Sequence, residues 1–170
     1  MRDYRPIDLT EADERRFWAK VALPNENGCA LWTATCDRVG YGRYSIGPKV
    51  SRLYPRAHRV SYTITNGPIP DGMQVDHMCH TPACVAPIHL RTATSSENCQ
   101  NRAGAFVNSA TGVRGVCWNS AVDMWQATAT VARKQYHLGN YPTIAEAEAV
   151  VVEFRRANMP YSLLDRTVSA

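Results

Sequence analysis

The feature that most constrains this chain is a short segment in which soft metal ligands recur at even spacing. Cys79, Cys84 and His89 follow a C-x4-C-x4-H pattern. Thiolate and imidazole groups are ligands that Zn²⁺ prefers, and a closed structural zinc site needs four of them. The segment therefore predicts a zinc site whose fourth ligand comes from elsewhere in the chain.

The fourth zinc ligand has two upstream candidates, Cys29 and Cys36. Cys29 is preferred, because it opens a predicted strand beside Trp32 and would be held rigidly. The six cysteines could instead form three disulfides. However, the N-terminus is not a signal peptide, and in a reducing compartment clustered cysteines with a spaced histidine more often bind metal. The sequence favours zinc and an intracellular, non-secreted protein.

A second set of donors, made of hard oxygens, is interleaved with the first. Asp76 precedes His77, and Asn98 follows in the first turn of a predicted helix. Carboxylate and amide oxygens suit Mg²⁺ or Mn²⁺, and a neutral imidazole is a good base near pH 7. Hydrolysis of a phosphodiester needs such a base and such a metal. Each residue alone has an ordinary structural explanation, but their joint spacing favours a hydrolytic centre.

Length and charge restrict the remaining possibilities. The chain has 170 residues, enough for one ordinary domain or two small ones. A net charge of +4 permits a nucleic-acid partner without establishing one. No apolar run approaches roughly 18 residues, so no membrane-spanning segment is predicted.

The first half of the chain predicts short elements around the metal segment. Residues 9–23 look helical, with Thr10 as N-cap. Residues 56–65 fit either a helix or a strand. A capping-box pattern from Thr94 to Glu97 opens the helix of Asn98, which Gly104 is expected to end. Two strands are predicted upstream, at Cys29–Thr35 and Tyr41–Ile46.

The second half of the chain has a different pattern. A second capping box at Thr143–Glu146 begins an Ala- and Glu-rich helix that Pro160 ends. On the middle strand, apolar and polar residues alternate, so one face should pack on Ala147, Val151 and Phe154. The three predicted strands are Val113–Trp118, Met124–Val131 and Gln135–Leu138.

The metal segment resembles the HNH (His-Me finger, ββα-metal) homing endonucleases of phage type. The resemblance rests on residues 75–90 with Glu97-Asn98, and on the Gly-Cys-Ala-Leu-Trp-Thr, Gly-Tyr-Gly-Arg-Tyr and Arg-Ala-His-Arg motifs upstream. Family members commonly read Cys-Val-Asn-Pro where this chain has Ala86, which weakens the loop more than the catalytic set. The roles that the resemblance implies are His77 as general base, Asp76 and Asn98 as magnesium ligands, and Cys29, Cys79, Cys84 and His89 as zinc ligands.

The C-terminal part resembles the APETALA-type (ethylene-response-factor) DNA-binding domain. The likeness rests on residues 112–118, Trp125-Gln126-Ala127, residues 137–141 and the helix that follows. In that family a three-stranded sheet lies in the major groove and one helix packs behind it. The sheet here has fewer arginines, so no target sequence carries over.

Both resemblances imply α+β domains. We expect a zinc-stapled ββα-metal (HNH) nuclease domain followed by a small three-stranded antiparallel sheet packed on one helix. The expected boundaries are an N-terminal helix over 1–24, the nuclease domain over 25–104, a linker over 105–111 and the DNA-binding domain over 112–165.

Candidate DNA contacts lie in both halves. Polar residues of the sheet can read base edges, and basic residues in turns more often meet phosphate. Trp118 and Tyr136 are expected in the core. The residues expected to contact DNA are Arg56, His58, Arg59, Arg102, Arg114, Asn119, Gln126, Thr128, Thr130, Arg133, Lys134 and His137.

These expectations point to an endonuclease that hydrolyses double-stranded DNA, leaving 5′ phosphate and 3′ hydroxyl ends by resemblance. If it is phage-encoded, it would act in the cytoplasm of a bacterial host. A rival hypothesis is a DNA-binding regulator that keeps the zinc-stabilised fold without cleaving, and an RNA nuclease is weaker because exposed aromatic platforms are lacking. The sequence leaves open the target site, nicking versus double-strand cleavage, and monomer versus dimer.

Overall fold

The computed structural model describes residues 7–48 and 50–167. The chain divides into two compact units, an N-terminal unit (Met1–Ser95) and a C-terminal unit (Ser96–Ala170). Each mixes helices with a small antiparallel sheet. Of the helix expected over 1–24, residues 1–6 lie outside the described ranges. Within those ranges, every helix falls short of the length and apolar content that a membrane crossing requires.

The first helix, α1, is Glu11–Trp18. Thr10 caps it as predicted, because its hydroxyl accepts a hydrogen bond from the Asp13 amide at 3.2 Å and Asp13 reaches back to the Thr10 amide. The expectation that the helix runs to residue 23 is wrong. Val21 instead forms an antiparallel bridge with Trp32, which requires extended backbone.

The prediction of strands at Cys29–Thr35 and Tyr41–Ile46 is also wrong. These segments pair only through isolated antiparallel bridges, such as Cys36 with Gly42 and Ile46 with Leu53. A tight loop separates them, because the Asp37 carboxylate accepts hydrogen bonds from the amides of Val39 and Tyr41. The segments nevertheless supply much of the core, which contains Phe17, Trp32, Tyr44, Ile46, Ala57, Val60 and Val85.

The segment that fitted either helix or strand is helix α2, Ala57–Asn66. Strand β1 (Gln74–His77) and strand β2 (Leu90–Ala93) then pair antiparallel, with Asp76 opposite Arg91 and His77 opposite Leu90. A single 3₁₀ turn, Pro87–His89, leads into β2. Helix α3, Ser95–Gln100, follows. It is shorter than predicted, because the sequence placed its end at Gly104.

In the C-terminal unit, β3 (Val116–Asn119), β4 (Met124–Val131) and β5 (Lys134–Tyr141) form one antiparallel sheet in the order β3-β4-β5. The bounds of β4 are those predicted, whereas β3 starts later and β5 is longer. Residues 101–115 form turns and bends. The domain boundaries given above stay a prediction.

Helix α4, Ile144–Asn158, packs on this sheet, and a short helix α5, Leu164–Thr167, follows. The predicted capping box is present, since the Thr143 hydroxyl accepts from the Glu146 amide at 3.2 Å. The core between sheet and helix contains Val116, Ala127, Ala147 and Val151, and Phe154 meets the Tyr136 ring at 5.1 Å. The apolar face of β4 is therefore covered as the alternation predicted.

Candidate active site and metal centre

Three sulfurs and one imidazole nitrogen meet at one point of the N-terminal unit. The ligand atoms of Cys29, Cys79, Cys84 and His89 all lie within 4.8 Å of one another. Cys29 is the upstream member, as preferred from sequence, and Cys36 is exposed elsewhere. All six cysteines are free thiols, so the structure gives no support to the disulfide alternative.

The backbone that presents Cys29 is fixed by a polar turn. The side-chain oxygen of Asn25 accepts hydrogen bonds from the amides of Asn27 and Cys29, at 3.0 and 2.9 Å. His89 comes from the 3₁₀ turn, whose geometry places the imidazole beside the two buried cysteines. The turn that Asn25 forms thus brings a distant cysteine to a local Cys-Cys-His segment.

The distances in this cluster fit a zinc ion. His89 Nδ1 lies 3.5 Å from the sulfurs of both Cys29 and Cys84. With Zn–S near 2.3 Å and Zn–N near 2.0–2.1 Å, a tetrahedral site has an S-to-N edge of about 3.6 Å. Burial, together with the nearby sulfurs of Cys79 and Cys29, raises the pKa of the Cys84 thiol to about 12. A cation is what would make a thiolate favourable there.

His77 ends strand β1 and is buried. Its Nε2 lies 2.8 Å from the carbonyl oxygen of Cys84. A carbonyl can only accept, so Nε2 carries the proton in the neutral ring and Nδ1 is the basic nitrogen. Burial holds the pKa of His77 below its ordinary value, against the opposing effect of the Cys84 carbonyl. The imidazole is therefore neutral at pH 7, as a base must be.

Asp76 lies next to His77 and faces a cross-strand arginine. The Arg91 guanidinium donates to Asp76 Oδ2 from Nε at 3.1 Å and from a terminal nitrogen at 3.0 Å. The two side chains are 8% and 20% exposed, so the charges compensate each other largely away from water. Arg91 could not be identified from the sequence, because only the β1–β2 register places it opposite Asp76.

Two further rings surround the His77 imidazole. The ring of His58, from α2, lies 4.6 Å from that of His77, and the Tyr41 ring lies 5.8 Å from His77 and 5.3 Å from His58. His58 is only 4% exposed, and its Nδ1 has no hydrogen-bond partner among the described residues. Burial, with the neighbouring His77, holds the pKa of His58 well below its ordinary value.

The basic residues around α2 differ in exposure. The Arg56 guanidinium lies over the Tyr41 ring at 4.0 Å and 3.6 Å from an Asp37 oxygen, with its side chain 42% exposed. Arg59 is partly exposed. Arg56 and Arg59 are therefore nearer to solvent than His58, the third DNA contact expected here.

Asn98, the other expected magnesium ligand, is partly buried and lies in α3 of the C-terminal unit. Its pairing with Asp76 stays a prediction.

The polar face of the C-terminal sheet carries several of the expected DNA contacts. Cross-strand pairs bring together Thr128 with His137 and Gln126 with Asn140. A register shift after Ala127 keeps both pairs on the face opposite the core. Arg133 is exposed in the β4–β5 turn, and the exposed Lys134 begins β5. Asn119 and Thr130 lie on the same face as these pairs.

Several of the expected DNA contacts in this unit have intramolecular partners, among them Arg114 and Arg102. The Arg114 guanidinium donates to the carbonyls of Gln100 and Cys99, at 2.9 and 3.3 Å. The Arg102 guanidinium lies 3.5 Å from the centre of the Phe106 ring. Arg114 therefore ties the C-terminal end of α3 to the start of the sheet, whatever else it contacts.

Trp118 corrects another expectation. It was expected in the core, yet it is 46% exposed. Trp118 lies on the edge strand β3, where its cross-strand partner Trp125 covers one side at a ring distance of 4.8 Å. Tyr136 is half-buried against Phe154, in agreement with its expected place.

Comparisons with known proteins agree on the metal segment. Residues 56–100 match the model of an HNH endonuclease family. The chain is 35% identical to Protein 3.8 of Escherichia phage T7 over 83 residues, which cover 49% of this chain and 68% of that protein. It is also similar to Protein 7.7 of the same phage, at 36% over 73 residues, and to the gene 5.3 protein of Enterobacteria phage T3, at 41% over 54 residues.

The match covers only part of each relative, which limits what the comparisons establish about this chain. The chain spans 53% of Protein 7.7 and 54% of the phage T3 protein. The matched family model ends at residue 100, before the C-terminal sheet begins. No solved structure matches the chain. The comparisons thus identify the metal segment and a phage origin of the relatives, and they leave the C-terminal sheet to be interpreted on its own chemistry.

Proposed function

Because this chain belongs to the phage-type HNH endonuclease family, we propose that it is a magnesium-dependent endonuclease acting on double-stranded DNA. One observation carries the proposal. His77, in the matched segment, is buried and neutral, and its hydrogen bond to the Cys84 carbonyl fixes Nδ1 as the basic nitrogen. A histidine held in this way is suited to take a proton from water.

In the proposed reaction, His77 Nδ1 removes a proton from the water that attacks the scissile phosphorus. The bond to the 3′ oxygen then breaks and that oxygen takes a proton from solvent, which leaves 5′ phosphate and 3′ hydroxyl ends. Arg91 holds the Asp76 carboxylate in a fixed orientation beside this base. The paired guanidinium also lies against this carboxylate in a position that is largely shielded from water.

The donors proposed for the catalytic cation are the Asp76 carboxylate and the Asn98 amide. Both are hard oxygen ligands of the kind that Mg²⁺ and Mn²⁺ prefer, and Mg²⁺ usually takes few ligands from protein. When bound, such a cation neutralises negative charge that develops on the phosphate and on the leaving oxygen.

We also propose that Cys29, Cys79, Cys84 and His89 hold a structural zinc ion. The three-sulfur, one-nitrogen donor set and the 3.5 Å sulfur-to-nitrogen distances support this. In a unit whose upstream segments pair only by isolated bridges, such a site would supply stability that regular hydrogen-bonded strands do not.

The C-terminal sheet is proposed to guide the enzyme to its site, in the manner of the ethylene-response-factor domain that it resembles. Support comes from its outer face, where amide, hydroxyl and imidazole groups from three strands lie side by side. Such groups can read base edges in a major groove, while Arg133 and Lys134 in the turn suit phosphate. A sequence-guided phage nuclease of this kind fits a homing role inside a bacterial host.

Plasmid cleavage tests the proposal. Zinc-loaded protein should cut supercoiled DNA when Mg²⁺ is added and leave it intact when Mg²⁺ is withheld. Withholding is preferable to chelation, because a chelator would strip both metal sites. His77→Ala should lose cleavage at least a hundredfold while still shifting DNA in a gel, consistent with the loss of a general base.

Two outcomes would count against this mechanism, and the second would favour the rival hypothesis of a non-cleaving DNA-binding regulator. If His77→Ala cuts as fast as the natural protein, the mechanism is wrong. If the natural protein binds duplex DNA but never cuts it under these conditions, the non-cleaving regulator is the better description. Sequencing the ends of cut plasmid gives the site and the number of strands cleaved.

A further inference from the structure

We propose that Tyr41 and His58 are positioning residues that hold the His77 imidazole in the orientation needed for base catalysis. The inference rests on the proposed role of His77 and adds two residues to it. Neither ring is expected to touch DNA or the reacting atoms in this proposal. Their effect is exerted on the ring that does.

The first step is that the three rings form one closed contact group. The centroid distances are 4.6 Å for His58–His77, 5.3 Å for Tyr41–His58 and 5.8 Å for Tyr41–His77. The interplanar angles lie between 47° and 60°, so each ring meets an edge or face of the other two. Rotation of the His77 side chain would push into one of its two neighbours.

The second step is that His58 and the anchor of His77 are held by the same helix. His58 and Ser61 both lie in α2, and both are buried. The Ser61 hydroxyl donates to the carbonyl of Val85 at 2.6 Å. Val85 follows Cys84, whose carbonyl accepts from His77 Nε2. Helix α2 therefore fixes one wall of the imidazole and the acceptor that selects its tautomer.

The third step is that Tyr41 is itself held on its other side. Its amide donates to the Asp37 carboxylate at 3.0 Å, and the Arg56 guanidinium lies over its ring at 4.0 Å. Asp37 also lies 3.6 Å from Arg56. The Tyr41 ring is thus fixed between a cation and two imidazoles, rather than lying loosely on the surface.

Rings fixed in this way are suited to constrain orientation, because small displacements of a catalytic group are costly. A misplacement of about 1 Å can reduce the rate roughly a hundredfold. Buried His58 also retains an Nδ1 without a partner among the described residues, so its imidazole is not explained by hydrogen bonding at that nitrogen. Ring packing against His77 is a role that accounts for the buried imidazole of His58.

The test compares Tyr41→Leu with the conservative Tyr41→Phe in the full-length, zinc-loaded protein. Under single-turnover conditions, we expect Tyr41→Leu to slow cleavage at saturating protein roughly ten- to a hundredfold, with the half-saturating concentration changed less than about twofold. Tyr41→Phe keeps the ring and should restore most of the rate. Tyr54→Leu, an exposed tyrosine of the same unit, is the matched control.

A second measurement does not depend on cleavage. Protein carrying ¹⁵N-labelled histidine reports by NMR which ring nitrogen of His77 holds the proton, with His77→Gln identifying its signals. We expect Nε2 to be protonated in the natural protein and in Tyr41→Phe. In Tyr41→Leu, and in the buried-site variant His58→Leu, the signals should change to a mixture of tautomers.

A purely structural role predicts something else. If Tyr41→Leu lowers thermal stability but leaves both the cleavage rate and the His77 tautomer unchanged, the proposal is wrong. If His58→Phe is slow while His58→Asn is normal, a nitrogen atom matters and ring packing does not. If the natural protein cleaves no DNA, the proposed function fails, and the tautomer measurement alone then decides whether the two rings orient His77.

Discussion

The two units of this chain achieve order by different means. The C-terminal unit has regular strands, a capped helix and an apolar core between them. The N-terminal unit places its functional groups on a two-stranded hairpin, a 3₁₀ turn and segments joined by single bridges. Regular periodicity specifies the first unit, whereas a few long-range contacts between side chains specify the second. Removing one contact should therefore have very different consequences in the two units.

The largest difference should come from Cys84→Ser. We expect the variant to lose its zinc and the folded structure of the N-terminal unit, because the free energy of metal binding in such sites is largely folding free energy. The C-terminal unit should keep its dispersed NMR signals. Elemental analysis and a ¹⁵N-correlation spectrum measure both effects, and Cys36→Ser, an exposed cysteine outside the cluster, is the control. A zinc-free Cys84→Ser protein that stays folded would contradict the comparison.

The next largest effect should follow Arg91→Met. This change removes the guanidinium that pairs with the nearly buried Asp76 carboxylate. In the absence of Mg²⁺ we expect a loss of about 3 kcal/mol in unfolding free energy, the low end for a broken buried pair because Arg91 is a fifth exposed. Chemical denaturation measures it, with the exposed Arg43→Met as control. A loss below about 1 kcal/mol would mean that the pair behaves as a surface ion pair.

In the C-terminal unit, the loss of a single apolar contact in the core should cost less. Val151→Ala removes two methyl groups from the core between α4 and the sheet, where Val151 is 1% exposed. We expect a loss of about 2 kcal/mol, confined to the unfolding of this unit. Val122→Ala, at a half-exposed position, should be nearly neutral. If Val151→Ala also destabilised the N-terminal unit equally, the two would not be independent in folding.

The smallest expected effect is a change with pH in the stability that Asp165 contributes. Burial alone would raise the pKa of Asp165. Hydrogen bonds from Arg155 and Ser162 outweigh this effect, so the pKa of Asp165 lies below its ordinary value. A depressed carboxyl pKa gives stability that is present above the unfolded value and is lost as the pH falls through the folded one. The stability difference between the natural protein and Asp165→Asn should therefore shrink below about pH 4. A difference that stays constant down to pH 2 would contradict this.

Much of the C-terminal unit could be predicted from sequence, because its signals are local. The bounds of β4 and the capping box at Thr143 depend on alternation and on residues within one turn. The exposure of Trp118 could not be predicted, since it depends on β3 being an edge strand. A large apolar side chain such as tryptophan is expected in the core from its residue type alone. Only the strand order shows that, within the part of the chain that the structure describes, one side of Trp118 has no neighbouring strand and is exposed to solvent.

In the N-terminal unit, the ligand set was predictable and the framework was not. Cysteine and histidine spacing, with the resemblance, identified four residues that the structure brings together. The pairing of Asp76 with Arg91 required the register of β1 and β2, and the Tyr41–His58–His77 contacts join three separate segments. The expected strands failed because the amides of these segments bond to scattered partners rather than to one neighbouring strand.

Cys84 takes part in two arrangements with two different groups. Its sulfur belongs to the four-ligand cluster, and its carbonyl oxygen accepts from His77. A movement of the backbone at residue 84 would therefore displace one ligand of the cluster and, at the same time, the acceptor that orients the imidazole.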